Sequence, residues 1–588
     1  MKKIYFILGI LAIATGCARS SSDLPQFTDV IKEIHDFTNT DDVNIYNSAT
    51  NYEYTHKGNV TFKVNSNYPN VLYVTFSDYA KMANNRIINP DYKLEVSKNA
   101  MAVKKTDGTT VFAAQVNPST KSFYVSGSPS AATTPSEDYM SQKYGALLAD
   151  MEITTSVVKK GSGALELPFT TFMNDLPVYT LNGELLAPLA LYDVIFGSSF
   201  NLFHLDLFDY IMQYNSVMTF AVKTGASQKM AIERMQEYYN VKGYPKDLRL
   251  LERASLYQLM DSYYGLATNR HITSMSEYFH TNKYDDVFLL DDAEQRCYGV
   301  FDTLASLNDD HTGITSISPG WGDKASCNHR GRLSVERKIL KNSLTVQRNE
   351  ALKSEPTEFG VDDKVYYSSS GKVAYFYFDS FMFDLKEYNK DNPDPDIWKR
   401  DSYFYFLHQF QEIEKHGGVE KVLIDDSLNG GGTVGIAIKL INLISKTNYA
   451  EVINEDVKTG EISKMASKLD TNHDGKYDEN DIFGNKFKSI GILTSPNSFS
   501  CGNLLPVAAK RNGIAKIFGQ TSGGGECTVG SAYLPSARGV SYSSLSRLVM
   551  PNSDGTFDAC VEAGATPDYE IPYNKFYDLD FIESVWEE

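Results

Sequence analysis

From about Val365 onward short apolar runs alternate with longer amphipathic ones, without an internal sequence repeat. KVAYFYF (372–378) reads as a strand, and SYFYFLHQFQEIEKHGG (402–418) as a helix stopped by Gly417 and Gly418. KVLIDDS (421–427) is a buried strand and TVGIAIKLINLISK (433–446) a helix. KSIGILT (488–494), CGNLLPVAAKRNG (501–513) and IAKIFG (514–519) continue as strand, helix and strand. Strands separated by helices cannot pair as hairpins, so they join in parallel, with helices covering the sheet. An α/β core is therefore expected over 311–588.

The preceding sequence has a different texture. Residues 31–125 alternate apolar and polar positions, as in NVTFKV and NVLYVTF, and predict a β-rich domain. SGSPSAATTPSED (126–138) suits a linker. Residues 136–225 read as a mixed α+β segment in which Asn182-Gly183 signals a type I′ hairpin. A helical segment, 226–310, follows. Its LRLLERASLYQLMDSYYG carries an i, i+3, i+4 apolar face after Pro245, and 291–307 places Cys297, Val300, Phe301, Leu304 and Leu307 on one face.

The chain opens MKKIYFILGILAIATGC: two lysines, an apolar run too short to span a bilayer, then small residues before Cys17. Residues 1–16 read as a signal peptide. The junction resembles a bacterial lipobox, which implies that Cys17 is acylated and becomes the mature N-terminus, with 17–30 as a tether. The expected location is that of an exported bacterial lipoprotein of the outer membrane, on its periplasmic or cell-surface face. A net charge of −18 opposes nucleic-acid binding. The other five cysteines, Cys297, Cys327, Cys501, Cys527 and Cys560, have no metal-ligand spacing, and an odd number leaves at least one thiol outside any disulfide.

Three short motifs carry chemistry. In TSPNSFSCGN, Ser500 stands at a turn between a strand and a helix, where its hydroxyl is exposed and the N–H of Cys501 can face a developing oxyanion. The bland alternative is a serine that merely caps the helix. In DDSLNGGGTVG, Gly430, Gly431 and Gly432 let backbone approach a bound group, although such a run also occurs in plain turns. In LNDDHTG, His311 lies beside acidic residues that could orient an imidazole, whereas a lone histidine is more often structural.

Taken together, helix then DDHT, strand then NGGG, strand then SFSCG, and finally EAGATPD, the segment of about 280–575 resembles the C-terminal-processing and tricorn-core serine peptidase superfamily. The resemblance implies a crotonase- and Clp-protease-like spiral of βαβ units, with Ser500 as nucleophile and an oxyanion hole from the N–H groups of Cys501 and Gly431. Tail-specific members take a lysine base from a GKG segment; here GQTSGGGECTVG puts Gly525 at that place. Tricorn-like members use an earlier histidine, the residue before it and a late glutamate, which map to His311, Asp310 and Glu562. About sixty residues separate His311 from Val373, too few for the PDZ domain common in processing peptidases.

A further motif, DTNHDGKYDEND, has the register of an EF-hand calcium loop. Its oxygen donors are Asp470, Asn472, Asp474 and Asp478, the Lys476 carbonyl and a closing Asp481, with Gly475 at the tight turn. A structural Ca²⁺ in an insertion at 470–481 is expected; the bland alternative is a solvated acidic turn. No cofactor is required for catalysis. The resulting expectation is a lipid-anchored serine endopeptidase acting on proteins or peptides through an acyl-enzyme. Its rival is an inactive relative serving as a surface peptide- or glycan-binding module, and a fluorophosphonate probe separates the two. The sequence leaves the oligomeric state open.

Overall fold

The computed structural model describes residues 25–39, 52–133, 147–200, 202–207, 210–214, 244–316, 335–354, 356–357, 360–384, 394–552, 554–558 and 561–586. The signal segment, Cys17, Cys327, Cys560 and residues 134–138 of the expected linker lie outside them; the first part of that linker instead runs from a strand (Ser122–Gly127) into a short helix (Ser130–Thr133).

Among the helices that precede the core sheet are α1 (Lys246–Tyr263), α2 (Ala293–Ala305) and α3 (Val335–Leu352). Pro245 is the residue before the first turn of α1, and Asp292 caps α2 by accepting the Gln295 N–H. The core sheet then runs β1 (Tyr366–Tyr367), β2 (Val373–Tyr377), β3 (Lys421–Asp425), β4 (Ser489–Thr494), β5 (Lys516–Gly519) and β6 (Tyr569–Glu570), in that spatial order. All neighbours from β2 to β6 are parallel, so each step needs a crossover. Helices α4 (Ser402–His416), α5 (Val434–Ile444) and α6 (Cys501–Arg511) lie in the three crossovers from β2 to β5, and α7 (Leu579–Val585) closes the chain. The α/β expectation holds, because alternate strand residues find apolar partners on both faces. Val422, Ile424, Ile490 and Ile492 join the cluster under α4, α5 and α6. Leu423, Leu493 and Phe518 join the one under α7.

The N-terminal boundaries differ from expectation. Tyr68–Thr75 pairs with Glu184–Pro188, and Phe27–Asn39 pairs in parallel with Tyr210–Tyr214, so residues assigned to two segments share one seven-stranded sheet. The strand Met151–Lys159 instead pairs with Ile462–Leu469 and belongs to a sheet of the core region. Such pairings join residues far apart in sequence, which local composition cannot encode. The Asn182-Gly183 hairpin is present, with φ of 53° and 77° at its two turn residues. Among the described residues no helix is long and apolar enough to cross a membrane. Cys297, Cys501 and Cys527 are buried and none forms a disulfide.

Candidate active site

Strand β4 ends at Thr494 in a tight turn that is tied to the end of β3. Ser495 Oγ donates to the Ser427 carbonyl (2.5 Å), and Ser498 Oγ donates to the Asp426 carbonyl (2.8 Å). The Phe499 N–H donates to the Asn429 carbonyl (3.0 Å), so the turn meets the NGGG loop directly. Ser500 follows with φ 58° and ψ −119°, a conformation that strains a residue with a side chain and raises it on a sharp elbow. It occupies the N-cap position of α6, yet its side chain makes no capping hydrogen bond. The hydroxyl is therefore not committed to the helix, which removes the simple capping explanation. The neighbouring Cys501 thiol donates to the Gly432 carbonyl (3.2 Å), and burial pushes its pKa up to about 12. A thiol so protonated is no rival nucleophile at neutral pH.

Backbone comes close on two sides of the elbow. A Cβ placed on Gly431 would stand 2.8 Å from Ser500 Cβ and 3.1 Å from Cys501 N, so the loop touches Ser500 only because position 431 lacks a side chain. Gly431 was also expected to donate its N–H to the oxyanion, and here a correction is needed. That N–H donates to Asn429 Oδ1 at 2.8 Å. Its neighbour Gly432 bridges Phe381 in parallel and presents its carbonyl to Cys501 Sγ. The Cys501 N–H has no acceptor among the described residues, as expected of a first-turn group on a helix N-terminus.

On the other side lies the turn Gly523–Gly525. Gly523 N–H donates to the Ser498 carbonyl (2.7 Å), and Ser500 N–H donates to the Gly524 carbonyl (2.9 Å). Gly525, at φ 90°, has room for no side chain, since a Cβ would meet the Phe499 ring at 2.8 Å and Ser500 N at 2.9 Å. A lysine base at this position is sterically excluded. Glu562 holds the turn from behind, its Oε2 accepting the N–H groups of Gly525 (2.9 Å) and Glu526 (3.0 Å). Burial raises its pKa above the ordinary carboxylate range.

His311 arrives after α2 through a turn that Asp309 organises. Asp309 Oδ1 accepts the His311 N–H (3.0 Å) and Oδ2 accepts Thr312 Oγ1 (2.6 Å), while Ser541 Oγ donates to the His311 carbonyl (2.8 Å). The buried imidazole packs on the Phe499 ring, centroids 4.7 Å apart and planes tilted by 59°. Asp310, expected to orient that ring, does not; its carboxylate pairs with Arg337 of α3. Arg337 also donates to the Gly523 carbonyl (2.6 Å) and lies over the other part of this cluster, 5.2 Å from the Phe499 ring centre. The turn reverses direction between 309 and 311, so adjacent acidic residues point to different partners. Arg337, Asn429, Asp309 and Phe499 were not singled out by sequence: Arg337 reaches the cluster only through tertiary contact, and Asp309, Asn429 and Phe499 stand inside the quoted motifs beside the residues taken as chemical. The interval considered too short for a PDZ domain supplies α3 and hence Arg337.

In the candidate calcium loop the carboxylates bind the loop's own backbone. Asp470 accepts the N–H groups of Asp474 and Gly475, Asn472 Oδ1 accepts that of Asp474, and Asp481 accepts those of Thr471, Asn472 and Asp478. Asp474 and Asp478 accept from Lys476 N–H and Asn480 N–H. Among the described residues no group of three or more His, Cys, Asp or Glu side chains is arranged to hold a metal ion.

Residues 379–571, which hold the NGGG loop, the elbow, the glycine turn and Glu562, match peptidase family S41. His311 lies upstream of the matched residues. No curated protein matches the chain. Among solved structures, the photosystem II D1 C-terminal processing protease is similar at 17% identity and TM-score 0.25, over 35% of this chain and 45% of its own. Mature CPAF complexed with lactacystin is similar at 13% identity and TM-score 0.35, over 57% of this chain and 97% of its own. The tricorn protease is similar at 10% identity and TM-score 0.29, over 87% and 45%. The chain thus spans less than half the length of the first of these relatives.

Proposed function

We propose that this S41 protein is a lipid-anchored serine endopeptidase in which Ser500 is the nucleophile and His311 the general base. The observation that carries the reading is the strained Ser500 elbow, uncommitted as a cap, with the His311 ring packed on the adjacent Phe499. In this reading Ser500 Oγ attacks the scissile carbonyl of a protein or peptide, and His311 takes its proton and passes it to the leaving amine. The N–H groups of Cys501 and Gly432 face the oxyanion of the tetrahedral intermediate. Water then hydrolyses the acyl-enzyme with His311 again as base. Glu562 acts by holding the Gly523–Gly525 turn against Ser500. A fluorophosphonate probe tests the reading: wild type should be labelled on Ser500 and Ser500→Ala should not.

Two finer proposals accompany it. Cys17 carries lipid and fixes the protein to the outer membrane; detergent-phase partitioning should be lost in Cys17→Ala. The 470–481 loop binds Ca²⁺ as a structural ion, supported by its donor register and by Gly475 at φ 78°.

A further inference from the structure

Behind the glycine turn a second glutamate answers the first. Glu526 N–H donates to Glu562 Oε2 (3.0 Å), and Glu562 N–H donates to Glu526 Oε2 (3.1 Å), so each carboxylate holds the other's backbone. The remaining oxygen, Glu526 Oε1, accepts Asn269 Nδ2 (2.9 Å) and lies 3.6 Å from Arg547 Nη1. Asn269 cannot turn its amide over, since its Oδ1 accepts Arg547 Nη1 at 2.7 Å. Arg547 is itself paired with Glu455 (2.6 Å), and Arg270 lies 3.9 Å from Glu562. Glu526 is buried, with both oxygens facing donors from three separate elements.

We propose that Glu526 is a positioning residue for the peptidase centre: its reciprocal clasp with Glu562 sets the Gly523–Gly525 turn, and through the Gly524 carbonyl the backbone of Ser500. The proposal rests on the Ser500 reading above. It follows from the donor count. Both Glu526 oxygens must accept, one from the Glu562 N–H and one from Asn269, and no side chain other than a carboxylate offers two acceptors at that reach. A glutamine there sets its NH₂ against a donor on one side, leaving a buried group unsatisfied or pushing the turn off Ser500.

The double substitution reverses this. In Glu526→Gln with Asn269→Asp, the glutamine NH₂ donates to the new carboxylate, which still accepts from Arg547, and the glutamine oxygen still accepts from Glu562 N–H.

The test is the rate of fluorophosphonate labelling of Ser500 in the full-length protein, read beside the melting temperature. Glu526→Gln should slow labelling about tenfold or more, and Glu526→Gln/Asn269→Asp should return it to within about threefold of wild type. Wild-type labelling rates in folded Glu526→Gln would overturn the proposal. So would a double variant whose melting temperature recovers while its labelling rate does not, since that marks Glu526 as merely structural. A wild type that does not label overturns the serine reading itself, and the proposal with it.

Discussion

Gly525 lies flush against Ser500: a Cβ on Gly525 would stand 2.9 Å from the Ser500 backbone nitrogen, and φ at Gly525 is 90°. The position where processing peptidases of this resemblance keep a lysine base is thus closed to side chains. Gly525→Ala should lower Ser500 labelling by about tenfold or more through strain at the elbow, and Gly525→Lys should not create a lysine base. Faster labelling of Gly525→Lys at alkaline pH would contradict this.

If no lysine serves as base, other lysines near the nucleophile should be dispensable. Lys510 donates to the Thr566 carbonyl (2.6 Å) and pairs with Asp568 (3.1 Å), a partly exposed fastening of α6 to the chain before β6. Lys510→Ala and Lys516→Ala should leave kcat within a few-fold of wild type, measured on a peptide substrate. Loss of turnover in either would point to a rearranged Ser–Lys centre.

Stability should decline as pH rises from mildly acidic to mildly alkaline. Burial pushes Asp401 up to about 7 from an ordinary value of 3.8. The folded state therefore binds this proton more tightly than the unfolded chain. Its contribution is fully present below the ordinary value and is lost as pH rises through it toward 7. The melting temperature should be lower at pH 8 than at pH 5, and the difference smaller in Asp401→Asn. A profile rising with pH over that range would contradict the assignment.

Much of the core was legible because its code is local. Short apolar runs between amphipathic ones marked β2 to β5, and the strand–turn–helix around Ser500 and the NGGG loop announced themselves as motifs. What was not legible depends on which way a side chain turns after a reversal, or on partners far off in sequence. Asp310 and Asp309 are adjacent, yet only Asp309 supports the His311 backbone while Asp310 meets Arg337. Gly431 and Gly432 are likewise adjacent, and the Asn429 side chain, which takes the Gly431 N–H, decides between them. The N-terminal boundaries failed for the same reason: Phe27–Asn39 and Tyr210–Tyr214 become neighbours only in the folded sheet.

The acidic loop gives a separate test. Binding of Ca²⁺ to 470–481 should raise the melting temperature by mass action, and Asp470→Ala should abolish the shift. No calcium-dependent shift in wild type would make the loop an ordinary acidic turn.

The central claim is that Ser500 is activated by His311. The most direct measurement is kcat with His311→Ala beside wild type on one peptide substrate. The account predicts that His311→Ala lowers kcat by about three orders of magnitude or more. A His311→Ala enzyme that turns over at the wild-type rate would contradict it.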